Sequence, residues 1–201
     1  MAPMAEIVLV RHGETEWSAT GRHTGVTDVH LTEAGERQAL EMLRLLEKRT
    51  FAKVLVSPRE RARRTAELMG LTPVEVDPDL AEWDYGGYEG RTTPEIRADG
   101  DPRWTVWTHG VVSGATPGET ADQVAARAAK VITRVLPLLD RDDVALVAHG
   151  HLLRVLAATW IGLPPSEGAH LRLDTASISV LGFEREERVI RHWNVTPDLL
   201  G

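Results

Sequence analysis

Apolar positions recur along this chain with two different periods. Ile7-Val8-Leu9-Val10, Lys53-Val54-Leu55-Val56, Val74-Glu75-Val76 and Val144-Ala145-Leu146-Val147-Ala148 are short, mostly β-branched runs of strand length. Between them the spacing turns helical. Thr32 caps a predicted helix with Ala39, Leu40, Leu43 and Leu46 on its packing face. A second, from about Thr120 to Leu139, carries Val124, Ala128, Val131, Ile132 and Val135. Ser57-Pro58-Arg59-Glu60 predicts a helix start, with Ser and Glu as a capping box and Pro at the first helical position. Leu152 to Ile161 reads as another helix, and Ser177 to Phe183 with Val189 to Trp193 as a hairpin. Helices alternating with apolar strands predict a three-layer α/β/α fold whose sheet is mainly parallel with an antiparallel edge. Residues 91–118 follow no period and are expected to form a covering insertion on a single domain spanning 1–201.

Composition narrows the possible partners. The 201 residues are 42% hydrophobic and 26% charged, which suits one globular domain with a sizeable core. A formal net charge of -7 argues against nucleic acid and against an anionic membrane surface, so an anionic small molecule would need a local pocket of arginines. The absence of cysteine excludes disulfides, thiolate metal sites and cysteine catalysis, and fits a reducing compartment, with the cytoplasm expected. Met1-Ala2-Pro3-Met4-Ala5 has no targeting pattern, and no apolar run reaches membrane-spanning length. A homodimer is compatible with the sequence.

The candidate chemistry lies just beyond strand ends. The first strand delivers Arg11, His12 and Gly13 at its carboxyl end, where open α/β sheets bind ligands. An arginine fork matches phosphate oxygens, and a neutral imidazole beside it can attack phosphorus near pH 7. His149 follows the last of the four runs, Arg61 falls in the first turn of the helix after Ser57, and Glu82 lies in the glycine-rich stretch from Leu80 to Gly90. Each of these alone is most simply a turn or surface residue. Parallel strands place all of them on one sheet edge, where two arginines and a histidine would neutralise a phosphoryl group during transfer. Glu82 would protonate the leaving alcohol, since a carboxylate near a phosphate dianion is pushed toward its protonated form. His149-Gly150-His151 has no acidic cluster at ligand spacing, so no metal is expected and His151 reads as a helix start. Arg59, Arg63 and Arg64 read as a solvated helix face, and Trp104 and Trp107 as packing.

Leu9-Val10-Arg11-His12-Gly13-Glu14-Thr15, Ser57-Pro58-Arg59-Glu60-Arg61-Ala62-Arg63-Arg64-Thr65, the Glu82 loop and Val147-Ala148-His149-Gly150 together resemble the histidine phosphatase superfamily, also called phosphoglycerate mutase-like. The resemblance implies that His12 is the phosphorylated nucleophile, that Arg11, Arg61 and His149 form the phosphate pocket, and that Glu82 is the general acid and later base. Ser18 and Thr24 are further candidates for substrate contact. No metal or other cofactor is implied, and the partner would be a small phosphorylated metabolite. Arg22-His23-Thr24-Gly25 and the stretch with Trp104, Trp107 and Gly110 look most like small bacterial acid phosphatases and sedoheptulose-bisphosphatase-like members. Cofactor-dependent mutases usually carry Asn where this chain has Ser18, and paired arginines where Arg97 and Arg103 stand apart. The expected reaction is therefore metal-independent hydrolysis of a phosphomonoester through phosphohistidine, with sugar phosphates as the expected substrates. The alternatives are a cofactor-dependent phosphoglycerate mutase, a metal-dependent hydrolase and, from another class, a non-catalytic phospho-ligand binding protein.

Overall fold

A computed structural model describes residues 5–197; Met1 to Met4, where no targeting pattern was expected, lie outside the described residues. Six strands, β1 (Ile7–Arg11), β2 (Phe51–Val56), β3 (Glu75–Val76), β4 (Asp143–Ala148), β5 (Ile178–Glu184) and β6 (Glu187–Val195), form one sheet in the order β3-β2-β4-β1-β5-β6. The pairs β1·β4, β2·β4 and β2·β3 are parallel, whereas β1·β5 and β5·β6 are antiparallel. The sheet is thus mainly parallel with an antiparallel edge, as the alternation of periods predicts.

The pleat sorts the strand residues between two cores. Ile7, Leu9, Leu55, Val144 and Leu146 meet helices α6 (Ala121–Val135) and α7 (Gly150–Trp160) on one face. Val8, Val10, Val54, Val56, Ala145 and Val147 face α2 (Glu33–Leu46) and α3 (Glu60–Leu68) on the other. Three short helices complete the set: α1 (Glu16–Ala19), α4 (Thr93–Asp99) and α5 (Val106–His109). None of the described helices is long and apolar enough to cross a membrane.

Several local expectations change. Thr32 does cap α2, but the packed face is Gly35, Ala39, Met42 and Leu46, while Leu40 and Leu43 are 51% and 39% exposed. Glycine at position 35 sets that rotation. Its backbone lies so close to the loop after His12 that a Cβ at Gly35 would stand 2.1 Å from the Glu14 carbonyl oxygen, and one at Gly13 would stand 2.4 Å from the Gly35 oxygen. The predicted capping box at Ser57 does not form: α3 starts at Glu60 behind Arg59, the Ser57 hydroxyl accepts from His149 and from the Arg59 amide, and the Glu60 amide donates to Asp28 instead. Residues 91–118 are not wholly irregular. Thr92 and Glu95 close a capping box on α4, a Thr-x-x-Glu signal that the sequence carries and the aperiodic surroundings obscure.

The rotation of α2 has a measurable consequence. Met42→Ala should cost about 2–5 kcal/mol of stability by opening a core cavity, while Leu40→Ala should stay within about 0.5 kcal/mol. Denaturant unfolding of the two variants checks this, and a larger loss for Leu40→Ala would contradict the orientation of the helix.

Candidate active site

Strand register brings the two principal histidines together. Arg11 pairs with Ala148 across β1·β4, and the His12 amide donates to the Ala148 carbonyl at 3.1 Å, so His12 and His149 leave the sheet at one level. Their rings stand 5.1 Å apart, edge to face at 62°. Next door, Val56 pairs with Val147, which sets Ser57 beside His149.

Hydrogen-bond partners fix the imidazole tautomers. His12 Nδ1 lies 2.7 Å from the Gly13 carbonyl oxygen, which can only accept, so Nδ1 holds the proton and Nε2 keeps its lone pair. His149 Nδ1 accepts from Arg61 Nε at 3.2 Å, which leaves the His149 proton on Nε2 to donate to Ser57 Oγ at 2.6 Å. Burial first, then Arg61 and Arg11, hold His12 well below its ordinary pKa of 6.5. His149 is lowered likewise, by burial, Arg61 and His12. The mechanism as read from the sequence asks for a cationic His149; in the phosphate-free site it is neutral, because a second cation beside Arg61 would have no counter-charge.

The two arginines differ in placement. Arg11 lines a cavity of about 370 Å³ together with His12 and Glu82. One of its Nη atoms donates to the Leu173 carbonyl, while its buried Nε has no partner. Gly150 lets the guanidinium lie flat, since a Cβ there would stand 3.2 Å from Arg11 Cζ. Arg61 is fully buried behind this floor. It donates to the carbonyls of Thr27 at 2.9 Å and Thr24 at 3.0 Å as well as to His149. Arg59, expected on a solvated face, is half-buried with an unpartnered Nε.

Glu82 is buried at the start of α7, accepting from the amides of His151 at 3.0 Å, Leu152 at 2.9 Å and its neighbour Trp83 at 2.9 Å. These three N–H donors fix the carboxyl group's orientation on the cavity wall. Ser18 and Thr24 also line the cavity. The Ser18 hydroxyl is already used twice within the capping box of α1, and the Thr24 hydroxyl donates to the Arg22 carbonyl at 3.0 Å. Among the described residues, no three His, Cys, Asp or Glu side chains cluster so as to hold a metal ion.

Part of the remaining wall was not foreseen. His23, Tyr85, Trp104, Trp107 and His151 line it, and so do Arg22, Arg97 and Arg154. Arg97, expected to stand alone because Arg103 is distant in sequence, is held by the Trp104 carbonyl at 2.9 Å, and Arg154 lies 4.6 Å over the Trp107 ring. A helical signal for Arg154 existed, since it follows Gly150 and His151 by four and three residues on one face of α7. Nothing in the sequence pairs Arg97 with it.

A parallel-stranded α/β sheet with a lone-pair histidine, an arginine and a buried carboxyl group gathered at one edge defines a histidine phosphatase site. The chain belongs to that family: the model described as histidine phosphatase superfamily (branch 1) matches residues 7–196. It is similar to an acid phosphatase of Mycobacterium tuberculosis, with 46% identity over 90% of this chain and 88% of the relative. A sedoheptulose 1,7-bisphosphatase of Saccharomyces cerevisiae is 37% identical over 78% of this chain and 67% of its own length. Among solved structures, the product of an open reading frame from Mycobacterium tuberculosis superposes with a TM-score of 0.90 at 44% identity, covering 96% of this chain and 98% of that one.

The lowered histidines make stability depend on pH. His12, His149 and His151 are all held well below 6.5 in the folded protein. Above that pH neither state binds their protons and they contribute no slope; below it the unfolded chain binds protons that the native state refuses, so stability falls. Thermal unfolding should therefore show a lower midpoint at about pH 5.5 than at about pH 7.5. His12→Gln should remove up to about 1.36 kcal/mol per pH unit of that slope. An unchanged slope would contradict the burial of a neutral His12.

Proposed function

We infer that the protein is a phosphatase acting on small phosphorylated metabolites, and we propose that it works through a phosphohistidine at His12. The observation that carries this reading is His12 itself. Its proton is committed to the Gly13 carbonyl, its free lone pair is on Nε2, and the Arg11 guanidinium lines the same cavity. A phosphoryl dianion offers phosphorus to the lone pair and negative charge to the guanidinium.

In the proposed reaction the phosphoryl oxygens bind Arg11, while Arg61 adds positive potential from behind the floor, where its Nε also holds the His149 ring. Nε2 of His12 forms a bond to phosphorus as the ester P–O bond breaks, and Glu82 passes a proton to the departing alcohol oxygen. Water then attacks the phosphohistidine, gives its proton to Glu82, and breaks the P–N bond to release phosphate. Four arginines and an aromatic wall in a cavity of about 370 Å³ suit a sugar phosphate. Ser18 and Thr24 bound the space left for the leaving group. Residues 91–118 are proposed as the covering insertion of a single domain spanning 1–201, since Arg97, Trp104 and Trp107 from this segment line the cavity. Metal independence belongs to the same proposal, because Arg11 and Arg61 take the role of a cation.

A phosphoglycerate mutase is the second reading, favoured by one observation: Arg22, Arg97 and Arg154 offer cationic contacts to a second anionic end. The product distinguishes the two. Incubation with 3-phosphoglycerate should release inorganic phosphate; interconversion with 2-phosphoglycerate and no free phosphate would promote the mutase.

His12→Ala should abolish turnover with the fold retained, and quenched wild-type enzyme should carry phosphate that is stable in base and labile in acid. Glu82→Gln should lower kcat by about 10²–10⁴-fold on a sugar phosphate. Turnover should persist in chelator and stop with vanadate. An active His12→Ala enzyme would overturn the mechanism, and loss of activity in chelator restored by a divalent ion would favour a metal-dependent hydrolase.

A further inference from the structure

Two imidazoles on the cavity wall, His23 and His151, have no part in the proposed phosphoryl transfer. Their rings are parallel to within 5°, with centroids 6.2 Å apart. Each is fixed through Nδ1 by a partner that decides its tautomer. His23 Nδ1 meets the Arg91 carbonyl oxygen at 2.7 Å, an acceptor only, so the proton is on Nδ1 and Nε2 is a bare acceptor.

His151 is bonded the opposite way. Its Nδ1 meets the Tyr85 hydroxyl at 2.5 Å. Tyr85 is 2% exposed, and its hydroxyl has no other hydrogen-bond partner among the described residues. Were His151 to donate from Nδ1, the phenol proton would be buried without an acceptor, a loss that exceeds the worth of an ordinary hydrogen bond. The phenol therefore donates, which leaves the His151 proton on Nε2. Burial keeps both rings neutral, and Tyr85 is held as the phenol by burial and by Glu82.

Both free edges are open to the cavity. Among the described residues the only buried side-chain nitrogen or oxygen atoms sealed off without a partner are Arg11 Nε and Arg59 Nε. Nε2 of His23 and of His151, unpartnered on the cavity wall, is therefore accessible from within it. One edge is a donor and its parallel neighbour an acceptor.

We propose that His23 and His151 are specificity-determining residues that read hydroxyl groups of the leaving alcohol, His151 donating to one oxygen and His23 accepting the proton of another. A polyol has both a lone pair and a proton on each oxygen and satisfies the two edges together. A carboxylate facing them would set its lone pairs against the His23 Nε2 lone pair. Trp107, whose ring centroid lies 5.0 Å from that of His151, lines the same cavity beside the pair. This inference rests on the phosphatase reading and narrows it to phosphorylated polyols.

The test compares kcat/KM for a hexose monophosphate with that for p-nitrophenyl phosphate, which has no hydroxyl to read. In His151→Phe and His23→Phe, which keep a ring in place, the hexose-to-aryl ratio should fall by about tenfold, the worth of one hydrogen bond. His151→Gln, which restores an N–H donor, should recover part of it. Independently of activity, 15N NMR of the wild type should show His151 protonated on Nε2 and His23 on Nδ1. Ratios unchanged in both Phe variants, or His151 protonated on Nδ1, would overturn the inference while leaving the phosphatase reading intact. A wild type that hydrolyses neither ester would overturn both.

Discussion

The site depends first on the register between β1 and β4. Because Arg11 faces Ala148, the chain leaves both strands at the same level and His12 emerges beside His149. A slip of one residue would turn every side chain of β1 to the other face and move the rings apart by about 3.3 Å along the strand. The register is held from both sides, since Val8 and Val10 are buried against α2 and α3 while Ile7 and Leu9 are buried against α6 and α7. β2 extends the same alignment to Ser57, so the hydroxyl that orients His149 arrives through the sheet and not through a flexible loop. Two layers of apolar packing thus set the geometry of a polar edge.

Positive charge is the second constraint. Arg61 is buried against carbonyl oxygens and an imidazole, and Arg11 against a carbonyl oxygen. Neutral acceptors orient a guanidinium without cancelling its charge, and Glu82 is the one carboxylate among the residues lining the cavity. Such a site carries unbalanced positive potential until an anion enters. Burial first, and then the same potential, keeps a proton off His12, so the cations that would receive a phosphoryl group also help preserve the lone pair that would attack it. Conformational stability at lower pH is given up for that arrangement, because the unfolded chain accepts the protons that these histidines refuse.

What could be read from the sequence follows from what is local. Strands appear as β-branched runs and helices as periodic ones, because backbone preference and one-sided burial act within a few residues. His12, Glu82 and His149 were legible because each stands just past an element whose end is marked in the sequence. The helix rotation was not. Leu40 and Leu43 have the right period for a packed face, yet the contact of two glycine backbones at positions 13 and 35 turns Met42 inward instead. Ser57 has the pattern of a cap, yet the Glu60 amide that it would cap donates to Asp28, 32 residues away.

The sequence by itself determined the class of fold and named the candidate groups, since periodicity and motif order are properties of neighbouring residues. Tertiary structure alone decided how those groups are tuned and what surrounds them. Arg22, Arg97 and Arg154 share one cavity although they come from a loop and two helices far apart in the chain. The tautomers of His23 and His151 are set by Arg91 and Tyr85, partners 68 and 66 residues distant. Hydrogen bonds and Coulomb interactions act through space between atoms a few ångströms apart, and a one-dimensional pattern carries no record of which distant residues folding will bring within that reach.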